Sequence, residues 1–421
     1  MNILQKTEFF NFSFQPKGNF TYLKGLFRGK QISRFAITEL KDKEANCEFA
    51  EFDSYVKEYK NIFDFVPRTS ENQTKFTAAM IIPTGIGAET GGDSGDGNAA
   101  ARLIGNSVDV LITHPNVVNA ADINEMTPNT VYVEGSVLNR LIMGTVGVSP
   151  VRGNRILVLV DTPEKEYIKN HTINCAGAAR VTLGCDVDVL EITDPPHYKF
   201  YYNEKGMAIG QIHDLEKLVD IIQKYKGEYD SFALHTMMEG DSEELFAEYF
   251  GDKLLVNPWG GIESIITHTI SNLLDVPCAH APLFSDGLIS YEYDVVSPKK
   301  APETLSKTEL FCVIKGMYKA PKIVEPQIAE GVITSRDINV LITPDRCISL
   351  PLIAALEQGI TVIAVDDNTN LMKNDLSKLP WKHNQFFRAA NYFEASGILT
   401  ALKNGLSPNS IIRPIQPTKI L

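Results

Sequence analysis

From Phe76 onward, short apolar runs alternate with stretches of helical periodicity. The runs Ala78–Ile82, Val108–Thr113, Thr130–Val133, Arg155–Val160, Val187–Ile192, Ser231–Leu234, Lys253–Val256, Val340–Thr343 and Thr361–Val365 are rich in Val, Ile and Leu. Such runs, bounded by Gly, Pro and Asn, predict strands buried on both faces. Between them, apolar positions recur at helical spacing over Asn98–Ile104, Val137–Met143, Thr172–Leu183, Leu215–Tyr225, Glu243–Tyr249, Ile262–Leu274, Leu350–Gln358 and Tyr392–Leu402. This alternation predicts an α/β fold with mostly parallel sheets covered by helices. Residues 1–70 differ. There, apolar and polar positions alternate in runs such as Gln31-Ile-Ser-Arg-Phe-Ala-Ile, which predicts a small strand-rich N-terminal unit ending in a helix over Phe49–Phe63.

Some segments echo one another. Asp109-Val-Leu-Ile-Thr-His-Pro-Asn is similar to Asn339-Val-Leu-Ile-Thr-Pro-Asp-Arg, and Asp275-Val-Pro-Cys-Ala-His-Ala-Pro places His280 where His114 stands. Pro83-Thr-Gly-Ile-Gly-Ala-Glu likewise has a counterpart in Pro258-Trp-Gly-Gly-Ile-Glu. The expectation is therefore two Rossmann-like lobes, residues 76–200 and 201–421, facing each other across a cleft and preceded by the unit 1–70.

In open α/β sheets, ligands bind outside the carboxyl ends of strands, so the loops after strands carry the candidate chemistry. The first such loop holds Gly85, Gly87, Gly91, Gly92, Gly95 and Gly97, with Glu89, Asp93 and Asp96 among them. Glycine lets backbone amides approach a ligand, and the helix that follows adds positive character, so the loop suits an anion. Three carboxylates oppose a bare phosphate unless a metal or another cation offsets them. The glycines do not match the dinucleotide fingerprint or a phosphate-binding Gly-Lys-Ser/Thr loop. His114 follows the next strand and is a candidate acid/base or metal ligand, with Asn116 and Asn119 as neutral partners for a polar substrate. Trp259, Gly260, Gly261 and Glu263 form a second glycine turn, where the indole could stack on a flat ligand. His280, with His114 and His268, would make an open site for a divalent metal. Cys347 stands beside Arg346 and before a helix, which should lower its pKa. The strand, cysteine, helix order resembles racemase-type folds, although their second thiol is replaced here by His114.

Composition narrows the class. The 421 residues are 44% hydrophobic and 22% charged, as in ordinary globular proteins, and long enough for more than one core. A net charge of −12 argues against nucleic acid or an anionic membrane surface as partner. Six scattered cysteines without Cys-x-x-Cys suggest reduced thiols, and the N-terminus lacks a signal-peptide pattern, so the expected location is cytoplasmic.

The motifs Pro83-Thr-Gly-Ile-Gly-Ala-Glu, Thr113-His-Pro-Asn-Val-Val-Asn119, Tyr132-Val-Glu-Gly135, Asn257-Pro-Trp-Gly-Gly261 and Cys278-Ala-His-Ala-Pro282 resemble a bacterial and plastid-type family, domain-of-unknown-function family 3326, over about residues 76 to 370. That resemblance implies homology and brings no reaction. The expected function is an enzyme acting on a small carboxylate- or phosphate-bearing metabolite by isomerase- or lyase-type acid/base chemistry, through His114, Asp96 and His280. A metal-dependent hydrolase or oxygen-activating enzyme and a non-catalytic ligand sensor are the alternatives. The partner expected is a small molecule, with a homo-oligomer left open.

Overall fold

The protein is described by a computed structural model covering residues 1–119, 126–163, 165–240, 243–251, 256–283, 295–305, 309–418 and 420. The chain begins with β1 (Ile3–Asn11), β2 (Ile32–Lys41) and β3 (Glu44–Phe52). It continues through β4 (Thr77–Met80), β5 (Val110–Thr113), β6 (Thr130–Tyr132) and the short β7 (Gly147–Ser149). Next come β8 (Arg155–Asp161), β9 (Asp186–Ile192), the hairpin β10 (His197–Tyr202) and β11 (Ala208–His213), then β12 (Ser231–Thr236) and β13 (Cys278–Pro282). The last part holds β14 (Lys322–Val324), β15 (Ile338–Pro344), β16 (Ile348–Ser349), β17 (Thr361–Val365) and β18 (Phe386–Ala389).

Three main sheets result. A parallel sheet runs β18-β17-β15-β4-β5-β6, and a second parallel sheet runs β13-β12-β8-β9. An antiparallel sheet runs β10-β11-β1-β3-β2-β16, and β7 pairs with β14 in a separate ribbon. The fold is therefore mixed α/β with two parallel sheets and one antiparallel sheet.

Strand pairing does not follow the expected boundary at residue 200. β8 and β9 share a sheet with β12 and β13, while β4, β5 and β6 share one with β15, β17 and β18. The echoed strands β5 and β15 flank β4 within a single sheet. Nor do the first 70 residues stand apart, because β11 and β16 complete their sheet. The carboxylate of Glu357 accepts the backbone N–H groups of Gly18, Asn19 and Phe20 at 3.0, 2.6 and 3.3 Å, tying the C-terminal part to the start of the Asn19–Leu26 helix.

The helix expected over Phe49–Phe63 is absent: β3 covers Glu44–Phe52, and no helix follows before residue 63. Asn46 to Phe49 are buried on consecutive positions, so the two-residue alternation that marks a half-exposed strand is missing. The expected strand Lys253–Val256 falls on residues 253–255, outside the described residues.

The helix Gly260–Leu274 lies at the centre, with twelve of its 15 residues buried, and packs on the antiparallel sheet, β13 and the helix Gly135–Ile142. Its start needs glycine for space. A Cβ on Gly261 would lie 2.2 Å from the Ala208 carbonyl oxygen, and one on Gly260 would lie 2.1 Å from Thr84 Oγ1. Gly261→Ala must push this helix away from β11. The expected cost is about 1–3 kcal/mol by urea unfolding, and an unchanged midpoint would contradict the tight packing.

Candidate active site

A cavity of about 190 Å³ lies where the carboxyl ends of β4, β5, β6 and β13 meet the first half of the central helix and the face of β2. His114, His268, His280, Glu263, Gly92, Asp93, Asn116, Asn119, Trp259, Gly260 and Cys347 all line it. Asp96, Gly85, Gly87, Glu89, Gly91 and Gly261 are not among the lining residues.

Each histidine has a fixed task. The Ile82 N–H donates to His114 Nε2 at 3.1 Å, so that nitrogen is unprotonated and the ring hydrogen sits on Nδ1. Burial, with His268 nearby, pushes the His114 pKa down to about 3. His114 is thus a neutral hydrogen-bond donor, and the acid/base or metal-ligand part expected of it would require Nε2 to be released. His280 is held at both nitrogens, with Thr236 Oγ1 2.8 Å from Nε2 and Glu263 Oε1 3.1 Å from Nδ1. Its side chain is 1% exposed, whereas that of Glu263 is 27% exposed, so the carboxylate is the end of this line that faces the cavity. His268 Nε2 lies 3.4 Å from Glu134 Oε1, and burial lowers its pKa. Glu134 caps the helix Gly135–Ile142 by accepting from the N–H groups of Ser136 and Val137 at 2.8 and 3.2 Å. With the imidazoles so committed, no group of three His, Cys, Asp or Glu side chains fit to hold a metal occurs among the described residues.

The glycine loop works in the opposite sense to the expected one. Its carbonyl groups converge on a cation: the Lys299 ammonium donates to the oxygens of Ala88, Glu89 and Gly91 at 3.2, 2.8 and 3.1 Å. Asp96 Oδ2 lies 2.5 Å and Asp93 Oδ2 3.3 Å from the same ammonium. Several amides are already used, since Glu89 N–H bonds Thr369 O, Thr90 N–H bonds Asn368 Oδ1 and Gly91 N–H bonds Asp96 Oδ2. Lys299 supplies the positive charge that the three acids required. Asp96 is therefore a loop-holding group, away from the cavity, while Asp93 faces into it. Lys299→Met leaves two acids without their shared cation, for an expected loss of about 3 kcal/mol and faster amide exchange over residues 85–97. Unchanged protection in that loop by hydrogen-exchange mass spectrometry would refute the role.

Other expectations change for similar reasons. Trp259 is 3% exposed and packs against Phe200, Phe246 and Tyr249 with ring centroids 6.3, 5.1 and 5.4 Å away, which makes it part of an aromatic core. Burial and the nearby Asp345 carboxylate push the Cys347 thiol far up, so the lowered pKa expected from Arg346 and the following helix does not occur. Asn116 Nδ2 donates to Ile82 O at 2.8 Å, and Asn119 Oδ1 accepts from Tyr132 OH at 2.9 Å. These amides brace the strand ends.

Arg34 is a cavity residue that the motifs did not mark. It projects from β2, its side chain only 13% exposed, with Nη2 donating to Thr84 O at 2.9 Å and Nη1 3.7 Å from Glu48 Oε1. An arginine inside an otherwise apolar strand, between buried Ser33 and Phe35, was the available signal.

A family model described as a protein of unknown function (DUF3326) matches residues 77–412, which include both parallel sheets. An uncharacterized lipoprotein of Synechococcus sp. is 33% identical over 343 residues, covering 80% of this chain and 93% of that protein. No solved structure matches significantly. The motifs, the span of the match and this relative agree: the chain belongs to the DUF3326 family.

Proposed function

We propose that the protein is an enzyme that removes a proton from carbon in a small, polar, anion-bearing metabolite, in isomerase- or lyase-type chemistry. The observation that carries this reading is the line Thr236–His280–Glu263, which ends in a carboxylate facing the cavity. A base oriented by a second group, itself oriented by a third, is the arrangement proton abstraction needs. Thr236 donates to Nε2, so His280 presents Nδ1–H to Glu263 and holds the carboxylate in place.

The rest of the wall suits an anion. Arg34 contributes a guanidinium whose Nη1 has no hydrogen-bond partner, and His114 contributes a neutral Nδ1–H that can bond a carboxylate or enolate oxygen without giving up its proton. In this reading the two parallel sheets act as Rossmann-like lobes with the substrate between their carboxyl ends. A cytoplasmic site of action belongs to the proposal too. The word lipoprotein describes the Synechococcus relative, and no described helix here is long and apolar enough to cross a membrane.

The test works without an identified substrate. Purified protein is incubated in D2O with a panel of small carboxylates and phosphorylated metabolites, and carbon-bound deuterium is sought by mass spectrometry. At least one compound should gain label. A panel member that raises Tm but never exchanges would identify a binding protein and end the enzymatic reading.

A further inference from the structure

Beside the cavity, and unused by the base, lies a second set of ionisable groups. Asp93 lines the cavity and its Oδ1 accepts from the Tyr249 hydroxyl at 2.6 Å. Tyr249 is fully buried and its hydroxyl also bonds the Glu303 carboxyl. Glu303 Oε1 further accepts from Ser94 N–H at 3.0 Å and from Asn257 Nδ2 at 3.3 Å.

A phenol has one hydrogen. If Tyr249 gives it to Asp93, its bond to Glu303 requires that Glu303 carry a proton of its own. Lys299, 3.3 Å from Asp93 Oδ2, favours the anionic form of Asp93, which places the proton on Glu303. The other charges facing this set are Asp96 on Lys299, Lys300 against the Tyr249 ring at 4.3 Å, and Glu309. Burial raises both carboxyl groups, in keeping with one proton retained between them.

We propose that Glu303, Tyr249 and Asp93 form a proton relay that makes Asp93 the catalytic acid of the cavity, complementary to Glu263. The inference rests on the proposed base chemistry. Glu263 takes the carbon-bound proton, and the electron pair stays on the substrate. The Glu303 O–H bond breaks as its proton passes to the Tyr249 oxygen, while the Tyr249 hydrogen passes to Asp93. Asp93 then delivers a proton to the substrate, at carbon for an isomerisation or at the departing oxygen for an elimination. Water restores the proton to Glu303, and Glu263 returns its own to solvent, so no proton is gained or lost.

Two measurements test this, on wild type and on the conservative variants Tyr249→Phe, Glu303→Gln and Asp93→Asn. In the infrared at neutral pH, the wild type should show the carbonyl stretch of a protonated carboxyl that Glu303→Gln removes and Tyr249→Phe shifts. In the D2O panel, Tyr249→Phe should still put label into recovered substrate through Glu263 but should form product about 100-fold more slowly. Absence of the carboxyl band from the wild type overturns the relay. So does a Tyr249→Phe protein that forms product at the wild-type rate, and in that case the base reading stands. If the wild type labels nothing, the base chemistry fails and the relay with it.

Discussion

Glu263→Gln is expected to slow carbon–hydrogen exchange by about 10²–10⁴-fold, the range that a general base contributes. The amide has the shape of the carboxylate and its oxygen can still accept from His280 Nδ1–H, at 3.1 Å in the wild type, so the cavity should persist. The amide oxygen has negligible affinity for the substrate proton. Ligand-induced stabilisation should therefore survive while deuterium labelling falls. This split separates a catalytic loss from a structural one. A variant that exchanges within a few-fold of the wild type would remove Glu263 from the chemistry. His280→Asn should show a milder loss, because the base would remain but its orientation would loosen.

The largest expected stability effect lies outside the cavity. Asp161 ends β8 and is 1% exposed; Met237 N–H donates to its Oδ2 at 2.9 Å, while Oδ1 has no partner. Burial pushes its pKa up to about 7. An unfolded aspartate titrates near 3.9, so the folded state binds more protons between about pH 4 and 7, and stability falls as pH rises through that window. A shift of about three pH units corresponds to about 4 kcal/mol, all of it felt above pH 7. Asp161→Asn keeps an acceptor for Met237 and cannot ionise. It should stabilise the protein by about 2–4 kcal/mol in urea at pH 8 and change little at pH 4. Equal effects at both pH values would rule out a buried ionising carboxyl. His114 and His235 act at the other end. Burial lowers each to about 3, so unfolding takes up protons below about pH 6.5 and stability drops as pH falls toward 3.

Much of the scaffold was readable from residue pattern. β5, β8, β9, β12, β15 and β17 are Val/Ile/Leu runs, and their buried faces explain the lack of alternation. Pairing order was not readable, since β5 and β15 carry near-identical sequences and nothing in them says that β4 separates them. Convergence of His114, His280 and Glu263 on one cavity followed from the rule of strand ends. The sense of the glycine loop did not, because residue identity does not tell whether a peptide turns its N–H or its carbonyl inward. Its occupant, Lys299, lies about 200 positions away in a stretch that reads as surface. Arg34 was hidden for a related reason: its partners Thr84 and Glu48 come from other elements.

The pairing of β4 with β15 joins Thr77 to Ile338, and everything between them has to be synthesised before the larger parallel sheet can close. The smaller parallel sheet, drawn from residues 155–282, needs no such wait. On the ribosome, β4 and β5 must therefore emerge as apolar strands lacking their central neighbour, which is the circumstance that favours aggregation and chaperone capture. High contact order in that sheet makes the cavity the last part of the nascent chain to mature. A release factor acting too early, upstream of residue 338, would yield a product with a completed smaller sheet and no functional centre.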